Sequence, residues 1–141
     1  MFDVRQRLYD IGNKLKKIGG ENHVVIEPTR STTSVPADSS RTCYLDPSEN
    51  RVYFRCAIEP RNTFEFPGNE STLVYTIPEE YRPERSHALS FYSGSATPAD
   101  AYISSSTGGI YVRPHGSNNI IGTGWAIYIT GWWDIKAGGG I

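Results

Sequence analysis

Apolar and polar residues alternate with a period of two through most of the second half of the chain, as strands with one buried face require. In RVYFRCAI, residues 51–58, Val52, Phe54, Cys56 and Ile58 take one face, and Tyr53, Arg55 and Ala57 the other. TLVYTI, 72–77, points Leu73, Tyr75 and Ile77 one way, and HALSFY, 87–92, offers Leu89 and Phe91. DAYI, 100–103, and IYVR, 110–113, are joined by SSSTGG. The longest signal is GWAIYITGWWDI, 124–135, with Trp125, Ile127, Ile129, Trp133 and Ile135 on one face. Its other face carries Ala126, Tyr128, Thr130 and Trp132. DPSENR, 46–51, reads as the turn between the two strands that hold Cys43 and Cys56. Six or seven strands at this spacing, with no second helical pattern, predict a mainly β chain folded as an antiparallel sandwich.

One hairpin can be registered from side-chain chemistry. If SSTG, 105–108, is a four-residue loop, Ser104 pairs with Gly109 and Ile103 with Ile110. Tyr102 then faces Tyr111, Ala101 faces Val112, and Asp100 faces Arg113. A β-branched pair, a tyrosine pair and an opposite-charge pair come from one register, and a slip of one residue loses all three.

The first twenty residues follow a different period. Val4, Leu8, Ile11, Leu15 and Ile18 are spaced alternately four and three apart, a seam too narrow for the buried face of a globular helix. Asp3 with Arg7 and Asp10 with Lys14 are i,i+4 pairs in the better orientation, lysines crowd the C-terminal turn, and Gly19-Gly20 supplies a stop. Gly12 in mid-helix costs about 1 kcal/mol, so this short helix needs a partner. Leu at a with Ile or Val at d disfavours two strands. The partner is therefore either the same helix in other copies of the chain or the edge of the β domain. Residues 1–20 are expected to form a coiled-coil helix, 21–41 an entry strand at Val24–Ile26 and a Ser/Thr/Pro-rich linker, and 42–141 the β head. Met1, directly ahead of the heptads, is expected to be a natural start.

Composition narrows the function classes. The formal net charge is -1, so there is no general electrostatic case for nucleic acid or an anionic membrane. No apolar run approaches the roughly 18–20 residues that span a bilayer, and the charged N-terminus does not fit a secretory signal. The protein is expected to work where it is made or to leave on lysis. Cys43 and Cys56 are expected to be reduced, buried thiols, a cross-strand disulfide being the alternative. His23, His87 and His115 are isolated, so no metal or other cofactor is expected. No nucleophile elbow, zincin motif or phosphate-cradling loop appears, and Glu79-Glu80 reads as a solvated turn, so no enzymatic activity is expected.

The order of NRVYFRCAI, TLVYTIPEEYRP, DAYISSSTGGIYV and GWAIYITGWWDI resembles the C-terminal head domain of bacteriophage tail-fibre, baseplate and receptor-binding proteins. In such domains a strand ending in a proline-bounded turn precedes two short strands and a closing aromatic strand. Here that turn is Ile77-Pro78-Glu79-Glu80-Tyr81-Arg82-Pro83, departing at Glu80, where the family often has Gly. The resemblance covers about residues 43–135. It implies a jelly-roll-like sandwich assembled as a homotrimer, often on a helical neck, made in the bacterial host cytoplasm and carried on the virion beside other virion proteins. It further implies attachment to host cell-surface saccharide or teichoic acid, or alternatively a purely structural fibre or capsid decoration protein without a ligand.

Candidate ligand residues come from the outward-facing side chains. Trp132 and Trp133 lie on opposite faces, so one of them leaves the core. Trp132 is then either buried at a subunit contact or a stacking platform for a sugar ring. The loop RPHGSNNIIGTG, 113–124, gathers Arg113, His115, Asn118 and Asn119, which supply the donors and acceptors that polyols and phosphates require, or form a solvated turn. Tyr102 and Tyr111 are a packing pair or part of a ligand face.

Overall fold

The computed structural model describes residues 23–36, 39–58, 64–94, 98–117, 120–122 and 127–135. The heptad positions Val4, Leu8, Ile11, Leu15 and Ile18, together with Asn118, Asn119 and Trp125, lie outside the described residues. The strands are β1 (Val24–Val25), β2 (Thr29–Arg30), β3 (Ser40–Asp46), β4 (Arg51–Ile58), β5 (Phe64–Phe66) and β6 (Thr72–Thr76). They continue as β7 (His87–Ser93), β8 (Ala99–Ile103), β9 (Gly109–Pro114), β10 (Ile120–Gly122) and β11 (Ile127–Asp134). A 3-10 turn, Glu79–Tyr81, is the helical element among the described residues.

Nine strands form one antiparallel sheet in the order β1-β3-β4-β11-β7-β8-β9-β6-β2, and β5 pairs with β10 separately. The sheet is continuous because β7 belongs to both halves. His87–Leu89 pair with β8, while Ser90–Ser93 pair with β11. The sequence alternation anticipates two opposed layers; the strand that turns the corner makes them one curled sheet.

The curl follows from connectivity. β1 and β2 are the two margins of the sheet, yet only residues 26–28 separate them in the chain. Four Cα steps reach about 15 Å, whereas nine flat strands would be about 38 Å wide. The margins must therefore approach each other, giving a half-barrel spanned by the segment 24–30. That segment, expected to hold one strand and a linker, is tied to both sides. Ile26 N–H donates to the Cys43 carbonyl at 3.0 Å and Ser31 N–H to the Val74 carbonyl at 2.9 Å.

The concave side is the core. Val52, Ile58, Val74, Ile77, Ile103, Ile110, Val112, Ile127 and Ile129 are fully buried, and the Phe54 ring meets Tyr75 edge-on across the two halves at 5.8 Å. Trp133 is buried beside Phe54, and its indole N–H donates to the Tyr81 carbonyl at 2.7 Å. The closing strand is thereby bonded to the turn that follows β6.

Several expectations hold in detail. β8 and β9 pair Ile103 with Ile110, Tyr102 with Tyr111, Ala101 with Val112 and Asp100 with Arg113, and Ser104 N–H donates to Gly109 at 2.8 Å. The turn after β3 is built by Asp46, whose carboxylate accepts from Ser48 N–H and Oγ at 2.9 and 2.6 Å. Those bonds hold its pKa below the ordinary carboxylate value. Glu80 fits the 3-10 turn without a left-handed backbone, so glycine is not required there.

The phase of β6 differs from expectation. Leu73 pairs with Tyr111 but Tyr75 with Ile110, so Val74 is an extra residue in a bulge. Val74, Tyr75 and Ile77 are buried, while Leu73 is only partly so. Gly108 closes the β8–β9 loop with φ +70°, and a Cβ there would overlap the Arg82 side chain and come within 2.5 Å of the Ile77 carbonyl. Arg82 Nε donates to that same carbonyl at 3.0 Å. Gly108→Ala is expected to lower stability by about 1–3 kcal/mol in urea unfolding, through backbone strain and displacement of Arg82.

Cys43 and Cys56 are free and buried. Cys43 sits opposite Phe54 and Cys56 opposite Arg41, a two-residue offset, whereas a disulfide needs Cβ atoms about 3.5–4.5 Å apart. Burial pushes both thiols from 9.0 up to about 12. The unfolded chain therefore releases these protons first, so the stabilisation is complete below pH 9 and is lost as pH rises toward 12. The expected slope is about 1.4 kcal/mol per pH unit for each thiol. Urea midpoints at pH 8, 9.5 and 10.5 read it, and alanine at both cysteines should flatten the profile.

Candidate functional site

The convex side of β3, β4, β11 and β7 is organised in rows, because opposed residues in an antiparallel ladder share a face. At one end Arg51 lies opposite both Asp46 and Asp134. In the next row Tyr44, Tyr53 and Trp132 are aligned across three strands. Thr42, Arg55, Thr130 and Ser90 form the third row, and Ala57, Tyr128 and Tyr92 belong to the fourth.

The second row is an aromatic stripe. His23 stacks on Tyr44 with ring centroids 4.2 Å apart, and Tyr44 stacks on Tyr53 at 5.2 Å. Trp132 follows, with the His87 ring 5.7 Å away and the Arg51 guanidinium 3.8 Å from its ring centroid. Trp132 nevertheless keeps 42% of its surface open, whereas Trp133, one residue on, is 1% exposed. The two tryptophans thus divide as their alternation anticipates. Trp132 borders a shallow open depression of about 440 Å³, floored by β4 and β11 and rimmed by Thr42, Tyr44, Tyr53, Arg55 and Thr130.

The charges around the stripe are mostly compensated. Arg51 Nε donates to Asp134 at 2.9 Å and Nη1 lies 3.7 Å from Glu49. The bond to Asp134 raises the pKa of Arg51, and the bond from Tyr53 to Glu49 at 2.9 Å raises that of the phenol. Arg51 therefore stays cationic while clamped at the stripe's edge, and Tyr53 keeps its proton.

The other residues expected at a site lie elsewhere. Tyr102 and Tyr111 stack at 5.3 Å on β8 and β9, with the Tyr102 hydroxyl donating to Ser71 at 2.9 Å. His115 Nε2 sits 2.9 Å from the Asp100 carboxylate, and Arg113 faces Asp100 across the hairpin. These four residues form a second cluster, apart from Trp132. Tyr44, Tyr53, Arg51 and His87 beside Trp132 were not anticipated; the signal available was Tyr53, an aromatic on the solvent side of an alternating strand. Among the described residues, no three His, Cys, Asp or Glu side chains are placed to hold a metal, and no helix is long and apolar enough to cross a membrane.

The arrangement suits stacking and hydrogen bonding more than chemistry: flat rings, hydroxyls and guanidinium groups line an open trough. None of the family models, curated proteins or solved structures compared with this chain matches it.

Proposed function

We propose that the chain is a bacteriophage virion fibre or receptor-binding protein whose β head attaches to host-surface saccharide through the Trp132 face. The observation that carries this reading is Trp132 itself: a large indole held half in the open between Tyr53, His87 and Arg51, above a trough rimmed by hydroxyls. Nothing in folding requires so large an apolar surface to face water, and the C–H face of a pyranose ring matches the electron-rich face of an indole. Hydroxyls and guanidinium groups around it answer the sugar's own hydroxyls.

A shallow trough holds a sugar weakly. Heads gathered on one neck by the heptads at Val4, Leu8, Ile11, Leu15 and Ile18 would bind together, each bound site raising the effective concentration for the next. This homotrimeric, jelly-roll-like assembly is part of the proposal. A structural fibre or capsid decoration protein is the second reading, favoured by the same exposed Trp132 if a neighbouring copy covers it.

Fluorescently labelled protein applied to intact bacterial cells tests the proposal. Labelling that disappears when wall polysaccharide is stripped supports attachment. Labelling that survives stripping overturns saccharide as the receptor, and no labelling across a broad strain panel together with a covered Trp132 in the native particle supports the structural reading instead.

A further inference from the structure

Resting on the saccharide reading, we infer that the ligand is an extended glycan carrying an isolated anionic group, laid along the strands between two aromatic platforms. The first platform is Tyr53 with Trp132. The second is Tyr128 with Tyr92, two rows further along the same convex face, with ring centroids 6.1 Å apart. Tyr92 is 66% exposed, the most open large apolar side chain among the described residues. Four residues along a strand separate Trp132 from Tyr128, which is about 13–14 Å. A single sugar ring cannot touch both platforms; a chain of linked sugars can.

Between the platforms stands Arg55. Its guanidinium lies 5.9 Å from the Tyr128 ring centroid, and Thr42 and Thr130 flank it in register on the two neighbouring strands. The other arginine of this face, Arg51, is occupied by Asp134 and Glu49. Arg55 has no carboxylate partner among the described residues. A second depression of about 210 Å³ meets the first at Thr42 and Arg55, so the trough continues past the cation.

One uncompensated cation flanked by two hydroxyls is the recognition set for one phosphate or carboxylate. The spacing of charge also sets the polymer class. Single-stranded nucleic acid also stacks on aromatics, but it carries a phosphate at every residue and calls for a cationic track. Here the neutralised Arg51 leaves one cation for two ring platforms, which fits a polymer with sparse charge.

The test uses the full chain on an array of purified bacterial surface polysaccharides graded as neutral, phosphodiester-bearing and carboxylate-bearing, with oligothymidine as a control. Two-sugar and six-sugar fragments of the tightest member then serve in titration calorimetry. Binding to an anionic member should exceed binding to neutral members at least tenfold, the array distinguishing phosphate from carboxylate. Arg55→Gln should remove that preference and lower the salt dependence by about one ion. Tyr92→Ala should weaken the six-sugar fragment about tenfold and leave the two-sugar fragment unchanged. Equal binding of neutral members, tighter binding of oligothymidine, or indifference to both substitutions overturns the inference. Trp132→Ala separates the two readings. If it alone abolishes binding, a single-platform saccharide site stands and this extension falls. If it changes nothing, the Trp132 face itself is misassigned.

Discussion

Trp133→Ala is expected to lower the unfolding free energy by about 3–5 kcal/mol, the largest stability effect of any single substitution considered. Three losses coincide. The indole is 1% exposed, so its removal leaves a cavity the size of two fused rings. Its contact with Phe54 goes, and Phe54 is the ring that meets Tyr75 across the halves. The Tyr81 carbonyl also loses its donor at 2.7 Å, loosening the turn that hands the chain from β6 to β7. Trp133→Phe keeps much of the volume and should cost less, about 1–2 kcal/mol, mostly for the lost hydrogen bond. Urea unfolding at one fixed protein concentration measures both, because any assembly would make the midpoint concentration-dependent. Equal and small losses for the two variants would place the indole outside the core.

The neighbouring substitution should do the opposite. Trp132→Ala removes an indole whose near contacts are the Arg51 guanidinium and His87, with much of its surface already in water. Stability should change by about 0.5–1 kcal/mol. Saccharide binding should fall at least tenfold per site, about 1.4 kcal/mol. Where three heads act together, that loss compounds to about a thousandfold in cell labelling. Labelling of cells by wild type and variant at matched concentration reads the effect, with the urea midpoint showing that the variant is folded.

The contrast between these two residues was legible in the sequence because period two is a local property. The same is true of β4, and of the β8–β9 hairpin, where Ile103 with Ile110 and Tyr102 with Tyr111 admit one register. The bulge at Val74 was not legible, since an inserted residue is specified by what β9 presents opposite it. The apolar run Val24–Ile26 marked β1, but β2, β5 and β10 were not legible, being strands of two or three residues whose pairing depends on partners far along the chain. The curled sheet follows from β1 and β2 landing on opposite margins, a fact of topology that alternation does not carry.

The same distinction governs the candidate site. Trp132 was found because one of two adjacent tryptophans had to face outward. Tyr44 and Tyr53 joined it only through the joint register of β3, β4 and β11. Arg55 looks like any arginine on a polar face until Arg51, the other arginine of that face, is seen to be taken by carboxylates. The tyrosine pair at 102 and 111 was predicted as a pair, yet it lies with His115 and Arg113 in a cluster of its own.

The most direct test of the account is the indole N–H region of the ¹H–¹⁵N spectrum, recorded as the chain is titrated with the tightest polysaccharide of the array. Trp132→Phe and Trp133→Phe assign the resonances. The Trp132 signal should shift progressively with ligand, while the Trp133 signal, held by the Tyr81 carbonyl, stays in place. A polysaccharide that binds and leaves the Trp132 resonance unmoved would contradict the assignment of this face.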